Sequence, residues 1–328
     1  MARGYADFTR PAYRDPRWLE TNWFSFVTDD GIRVHFWVGF RVNLEVASTK
    51  VYAFSRDSAS VLDMDFVDTQ YHVPIAGDRL GDYALASGIS VKGTPAPDRY
   101  RISYASKCGR MQATLEAEAL MAPVGLDFTA ITGAERGFTA FHRTRGTAPE
   151  DRAGDEPVGH IDQTMRVRGT LTIDGVSHDV DCIANRDHSW SPRAEYRNGI
   201  GTFDLFHFGE ELTLLTHTAE RDGRAVVSNG YVLVGGEARR LRSAEVEHQR
   251  RGFRTHRITY RVVDDQGDAY EIAGTSRAGA EIDGGQNILL VLDLFDAEWA
   301  GRTGYGEVQW HDDITRVQRE RREAMLRG

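Results

Sequence analysis

The chain has 328 residues, 41% of them hydrophobic and 10% aromatic, too long for a disulfide-stapled miniprotein and apolar enough to exclude disorder over most of its length. With 40 Lys and Arg against 49 Asp and Glu the formal charge is −9, so no nucleic-acid partner held by phosphate contacts is expected. No window approaches the roughly 18–20 uninterrupted apolar residues of a membrane span. The longest candidate, Ile288 to Phe295, is broken by Asp293. Met1 to Asp7 lacks the apolar core of a secretory signal, and the two cysteines, Cys108 and Cys182, have no CxxC spacing. A cytoplasmic protein with two free thiols is expected, without a disulfide framework or a cysteine zinc site.

In chain order, the dominant period is two. Arg110 to Ala119 alternates polar and apolar without a break, as a half-buried strand does. Arg143 to Pro157 is polar and aperiodic, and is read as a long loop inside the first domain rather than a linker. His160 to Ala184 reads as strands, with Asp174-Gly175 as a hairpin turn after Thr170 to Ile173. Ser191-Pro192 breaks the pattern and marks a boundary. Beyond it, Leu212 to Thr216 leads to a turn at Asp222-Gly223, and Asn229-Gly230 and Gly235-Gly236 supply the next turns. Thr259 to Val262, Asp264 to Gly267 and Ala269 to Ile272 read as strand, turn and strand. From Asp312 onward, Ile314, Val317, Met325 and Leu326 sit among Arg and Glu, a surface helix capped by Asp312 or Asp313. The fold class is all-β and antiparallel, of the sandwich or closed-barrel kind.

Several chemistries have no motif here. The sequence contains no G-x-x-x-x-G-K-[ST] phosphate loop, no G-x-S-x-G nucleophile elbow and no H-E-x-x-H zinc helix. Gly199-Ile200-Gly201 lacks the third glycine of a dinucleotide loop and reads as a turn. His188, His207 and His217 are numerous enough for a metal site, but their spacing is not diagnostic, and strand histidines more often hydrogen-bond within a polar core. No cofactor and no metal are expected.

The densest chemistry lies in Asn185-Arg186-Asp187-His188-Ser189-Trp190-Ser191-Pro192-Arg193. In an extended chain Asp187, Ser189 and Ser191 point one way, and Arg186, His188 and Trp190 the other. Asp187 can be held ionised by a cation or made an acid by apolar enclosure, and either state moves protons. A structural corner, with Arg–Asp pairing and Trp packing, explains the same residues equally well.

Arg186-Asp187-His188-Ser189-Trp190 followed by Arg193 resembles the D-H-S-W-G-x-R signature of the carotenoid hydratase (hydroxyneurosporene synthase) superfamily, with Ser191 in place of its Gly. Glu20-Thr21-Asn22-Trp23-Phe24 resembles that family's N-terminal Glu-x-Trp-aromatic strand, one residue longer than its commonest form. His160-Ile161-Asp162-Gln163 and Gly304 to Trp310 resemble two further strands of the family. The resemblance implies two tandem lipocalin-like domains, here 15–190 and 191–311, followed by a helix over 312–328, with a ligand cavity near the domain junction. It also implies water addition, water loss, isomerisation or cyclisation on a hydrophobic isoprenoid-, steroid- or polyketide-like molecule. Asp187 is the expected proton donor, with His188 as its partner or as a base orienting water, and Arg186 and Arg193 setting its charge. Trp23, Trp190 and Trp310 offer ring faces to a carbocation, and Glu20 and Gln163 orient water or a substrate oxygen. His207 completes the expected substrate-binding set. The partner is a hydrophobic small molecule, and a homodimer is compatible with the sequence. A non-catalytic carrier of such a ligand is the alternative, and a protein-interaction module a weaker third.

Overall fold

The computed structural model describes residues 15–77, 79–125, 159–193, 201–221, 224–285 and 287–327. The segment 143–157, the turn at 222–223, residues 199–200 and the first seven residues lie outside them. The described chain forms two compact units, one of 15–55, 64–125 and 159–192, the other of 56–63 and 193–327.

In the first unit the strands are β1 (Trp18–Val27), β2 (Arg33–Arg41), β3 (Val46–Phe54), β4 (Phe66–Pro74), β5 (Asp82–Ala84), β6 (Ile89–Gly93), β7 (Arg99–Ala105), β8 (Met111–Ala119), β9 (Val124–Gly125), β10 (Gly159–Ile173) and β11 (Val176–Pro192). They form one antiparallel curled sheet in the order β4-β3-β2-β1-β11-β10-β8-β7-β6-β5, with β9 beside β10. The period-two strand is β8, where buried Met111, Ala113, Leu115 and Ala117 alternate with exposed polar residues. Asp174 and Gly175, both at positive φ, close the β10–β11 hairpin with the twist that a two-residue turn requires. Strand β1 differs from its neighbours. All ten of its residues are buried, although four of them are Glu20, Thr21, Asn22 and Ser25. Polar groups out of water need partners, so this strand is where partners must be sought.

In the second unit β12 (Gly201–Phe208), β13 (Leu212–Arg221), β14 (Arg224–Val234), β15 (Glu237–Arg251), β16 (Arg254–Asp264), β17 (Ala269–Gly285), β18 (Ile288–Trp299) and β19 (Arg302–Asp313) close into an eight-stranded barrel. Its interior is layered by register. Phe206, Leu214 and Gly306 share one cross-strand row, and Asp204, Thr216 and Val308 share the next. A Cβ on Gly306 would lie 2.2 Å from the Phe206 ring, so glycine there lets the ring lie across β19 and fill the barrel. Helix α1 (Ile314–Arg327) follows, buries only Val317, and is capped by Asp313, whose Oδ1 accepts from the Thr315 and Arg316 amides at 2.8 and 3.2 Å. The strand before it therefore runs two residues beyond the expected boundary at 311.

Gly235-Gly236 is a turn as expected, both residues at positive φ. Asn229-Gly230 is not. It lies inside β14, where Gly230 pairs with Thr216 and Asn229 with His217, beside a β-bulge whose extra residue is Ser228, and so does not reverse the chain. Gly230 has φ 155°, and a Cβ there would lie 2.2 Å from the Leu215 carbonyl oxygen. An Asn-Gly pair reads alike in both settings, because each needs a glycine-type backbone.

Candidate functional site

Strands β2, β1, β11 and β10 lie side by side, and their registers line up two polar rows on one face of the first sheet. Trp37, Trp23, Asp187 and Asp162 form one row; Gly39, Thr21, Ser189 and His160 form the next. Thr21 Oγ1 and Ser189 Oγ are 2.6 Å apart, and His160 Nε2 lies 3.0 Å from Asp162 Oδ2. Trp23 donates its indole N–H to His35 Nδ1 at 3.1 Å. An added Cβ on Gly39 would meet the Trp37 ring at 2.3 Å, so the absent side chain is what lets that indole lie over the sheet. Asp162 is fully buried, whereas Asp187 and Trp37 are only half-buried. The face thus sets aromatic surface beside two carboxyl groups that stand directly across from each other.

The opposite face of the same strands carries a second set. His188 Nε2 is 3.0 Å from Glu20 Oε2, with both side chains 1% exposed or less. Trp18 donates to the other Glu20 oxygen at 3.3 Å, and the Trp190 ring stands 4.7 Å from the His188 ring, tilted by 45°. One step along, Arg186 Nε donates to Gln163 Oε1 at 2.8 Å while its guanidinium lies 5.0 Å from the centre of Tyr100. Gln163 in turn donates to the Met121 carbonyl at 2.9 Å. Phe24 packs edge-on against Tyr100, so this face is the aromatic core of the first unit.

Period two therefore divides the expected site. His188 partners Glu20 and not Asp187, because neighbours along a strand face opposite ways. Arg186 turns into the core with Gln163 for the same reason. The direct cross-strand neighbours of Asp187 are Trp23 and Asp162.

The family model that matches this chain, a domain of unknown function (DUF7064), spans residues 7–314. The chain belongs to the DUF7064 family. No curated protein matches its sequence. Three solved structures resemble this DUF7064 chain. Kievitone hydratase from Nectria haematococca is 11% identical with TM-score 0.52, covering 90% of this chain and 88% of that one. CghA is 13% identical with TM-score 0.53 and the same coverages. An ATTH-like protein from Nitrosomonas europaea is 14% identical with TM-score 0.54, covering 92% and 95%. At these identities the likeness is one of fold, and that fold is lipocalin-like. No helix among the described residues is long and apolar enough to cross a membrane.

The remaining expected residues of this DUF7064 chain belong to its second unit. Arg193 is buried at the start of that unit. His207 faces away from the row of Asp204 and Phe206, with Nδ1 3.0 Å from Thr213 Oγ1 and its ring against Tyr305. Trp310 lies in the barrel core, donating to Thr255 Oγ1 at 2.9 Å beneath the Arg250 guanidinium at 4.1 Å. Sequence reading passed over Asp162, His160 and Trp37 as site residues. The spacing His160-x-Asp162 was the available signal, since alternate residues of one strand share a face.

Proposed function

We infer that this protein is a cofactor-independent enzyme that adds water to, removes water from, or shifts a double bond in a hydrophobic small molecule by acid–base chemistry on the Asp187 face. The observation that carries this reading is the pairing of Asp187 with Asp162 beside Trp23 and Trp37. Like charges directly opposite across a sheet are destabilising, and a single proton shared by the two carboxyl groups relieves the repulsion. Half-exposed Asp187 then delivers that proton to substrate, and buried Asp162, hydrogen-bonded to His160, stores it between turnovers. Positive charge developing on carbon lies over indole faces, which attract it. Thr21 and Ser189 supply hydroxyls in the next row, suited to holding the water that adds or leaves. Glu20 and His188, on the other face, act as positioning residues that fasten β1 to β11 beneath Asp187.

The fold shared with a hydratase supports the reaction class, and an isoprenoid-, steroid- or polyketide-like substrate fits the aromatic surface. A general acid contributes roughly 10²–10⁴-fold, so Asp187→Asn is expected to cut turnover by that order. The test is mass spectrometry of organic extracts from purified wild type and Asp187→Asn grown identically. Bound molecules that differ by one water support hydration or dehydration, and isomers of equal mass support isomerisation or cyclisation. The same compound carried equally by both, transformed by neither, sinks the enzyme reading. It would leave the carrier reading, which the apolar interior of the closed second barrel favours.

A further inference from the structure

The barrel of the second unit contains a polar layer that the Asp187 face does not use. Asp204 is fully buried, and its cross-strand neighbours are Thr216 and Val308. Its Oδ2 accepts from Thr202 Oγ1 at 2.9 Å and from the Tyr260 hydroxyl, which itself accepts from Thr216 at 2.8 Å. Its Oδ1 is buried with no hydrogen-bond partner. Below this layer Phe206 seals the barrel with its ring across Gly306. Above it, Thr202 stands in register with Trp310, and His248 packs edge-on to Trp310 at 5.1 Å. Neither ring nitrogen of His248 has a partner.

Among the described residues the ladder between β14 and β15 stops at Tyr231 and Arg240. Both strands carry an irregularity near that point, the bulge at Ser228 on one and a register shift between Leu241 and Ser243 on the other. Bulges bend strands away from their neighbours. Beyond it Ala244, Val246, His248 and Arg250 alternate with fully exposed residues and face inward, yet stay only half-buried. Behind fully paired strands such positions would be dry. Their partial exposure lies along the stretch where β14 and β15 are unpaired.

We propose that this barrel binds an apolar molecule carrying one hydroxyl group, which enters between β14 and β15 and places its hydroxyl on Asp204 Oδ1. A hydroxyl fits because it both donates and accepts. Burial, together with the negative charge of Glu307, pushes the Asp204 carboxyl up to about 7, so both protonation states occur near neutrality. Only an amphoteric group satisfies Oδ1 in each. The body of the ligand would rest on Val308, Val246 and the Trp310 ring, all in or against the core cluster. The site is argued from the second unit alone and does not depend on chemistry at Asp187.

Calorimetry on the full-length protein with p-cresol and p-xylene, near-isosteres that exchange hydroxyl for methyl, tests it. Wild type is expected to bind p-cresol about tenfold more tightly, the ratio one hydrogen bond to a charged group supplies. Asp204→Leu is expected to erase that preference while both compounds still bind. Equal affinities in wild type, or a preference that survives Asp204→Leu, overturn the proposal. Should Asp204→Leu fail to fold, a wild-type crystal soaked in 4-bromophenol decides. Bromine inside the barrel with the phenol oxygen in hydrogen-bond range of Asp204 supports it; bromine only elsewhere, or none, overturns it.

Discussion

Two adjacent residues, Asp187 and His188, carry opposite assignments because a strand turns successive side chains to opposite faces. That difference is measurable as a split between stability and turnover. Removing one partner of a buried hydrogen-bonded pair leaves the other unsatisfied, at a cost of about 1–3 kcal/mol. His188→Ala is therefore expected to lower stability by that order in denaturant unfolding, through Glu20 left in the core. Asp187→Asn, at a half-exposed position, is expected to change stability by under about 1 kcal/mol while abolishing most turnover. If both variants lose stability alike, Asp187 belongs to the framework and not to the chemistry. The sequence named both residues and stated their opposed directions. It offered His188 as the partner of Asp187 or as a base orienting water, whereas the partner His188 finds is Glu20, on a strand 168 residues away.

At the scale of elements, most boundaries follow from local chemistry. The Asp174-Gly175 turn, the Gly235-Gly236 turn and the Asp313 cap each need a particular backbone geometry that few residues supply. Asp313→Ala is expected to cost about 1 kcal/mol, visible as faster amide exchange confined to the first turn of α1. Gly230 is the element-scale exception. Its place inside β14 depends on β13, where the Leu215 carbonyl fills the space of a Cβ. Gly230→Ala is expected to lose about 2–3 kcal/mol in thermal or denaturant unfolding, while an alanine at Gly235, where nothing crowds the Cβ, meets only the strain of its positive φ. Equal losses at both glycines would show that backbone conformation alone accounts for Gly230.

For the molecule as a whole, two groups in the second barrel, fully buried Asp204 and half-buried His248, bend the pH dependence of stability in opposite senses. Asp204 is raised to about 7 from 3.8, so the folded state holds a proton that the unfolded chain releases, and stability falls as pH rises from about 4 to 7. Three pH units correspond to about 4 kcal/mol at most. His248 is lowered to about 3 from 6.5, chiefly by burial and then by Arg250, so the unfolded chain binds the extra proton and stability falls as pH drops from 6.5 towards 3. Between pH 4 and 6.5 the two contributions largely cancel. Asp204→Asn is expected to expose the histidine slope, gaining stability relative to wild type as pH rises from 4 to 7, and His248→Gln the reverse. Unfolding midpoints at half-unit pH steps check both, and parallel curves for wild type and Asp204→Asn would show that Asp204 titrates normally.

What the sequence determined by itself was whatever short range dictates: an all-β chain, because its apolar residues recur at period two; the tight turns, because few residues tolerate their backbone; and a stretch around Asp187 too polar and aromatic to be ordinary strand. The tertiary structure decided which strands are neighbours. That choice buried Glu20 against His188 and closed Asp204 inside a barrel with Tyr260 from a strand 56 residues on, whereas Asp162 meets Asp187 through the register that the local Asp174-Gly175 turn already sets. Register between distant strands depends on the summed packing of two whole surfaces, and no local segment contains that sum.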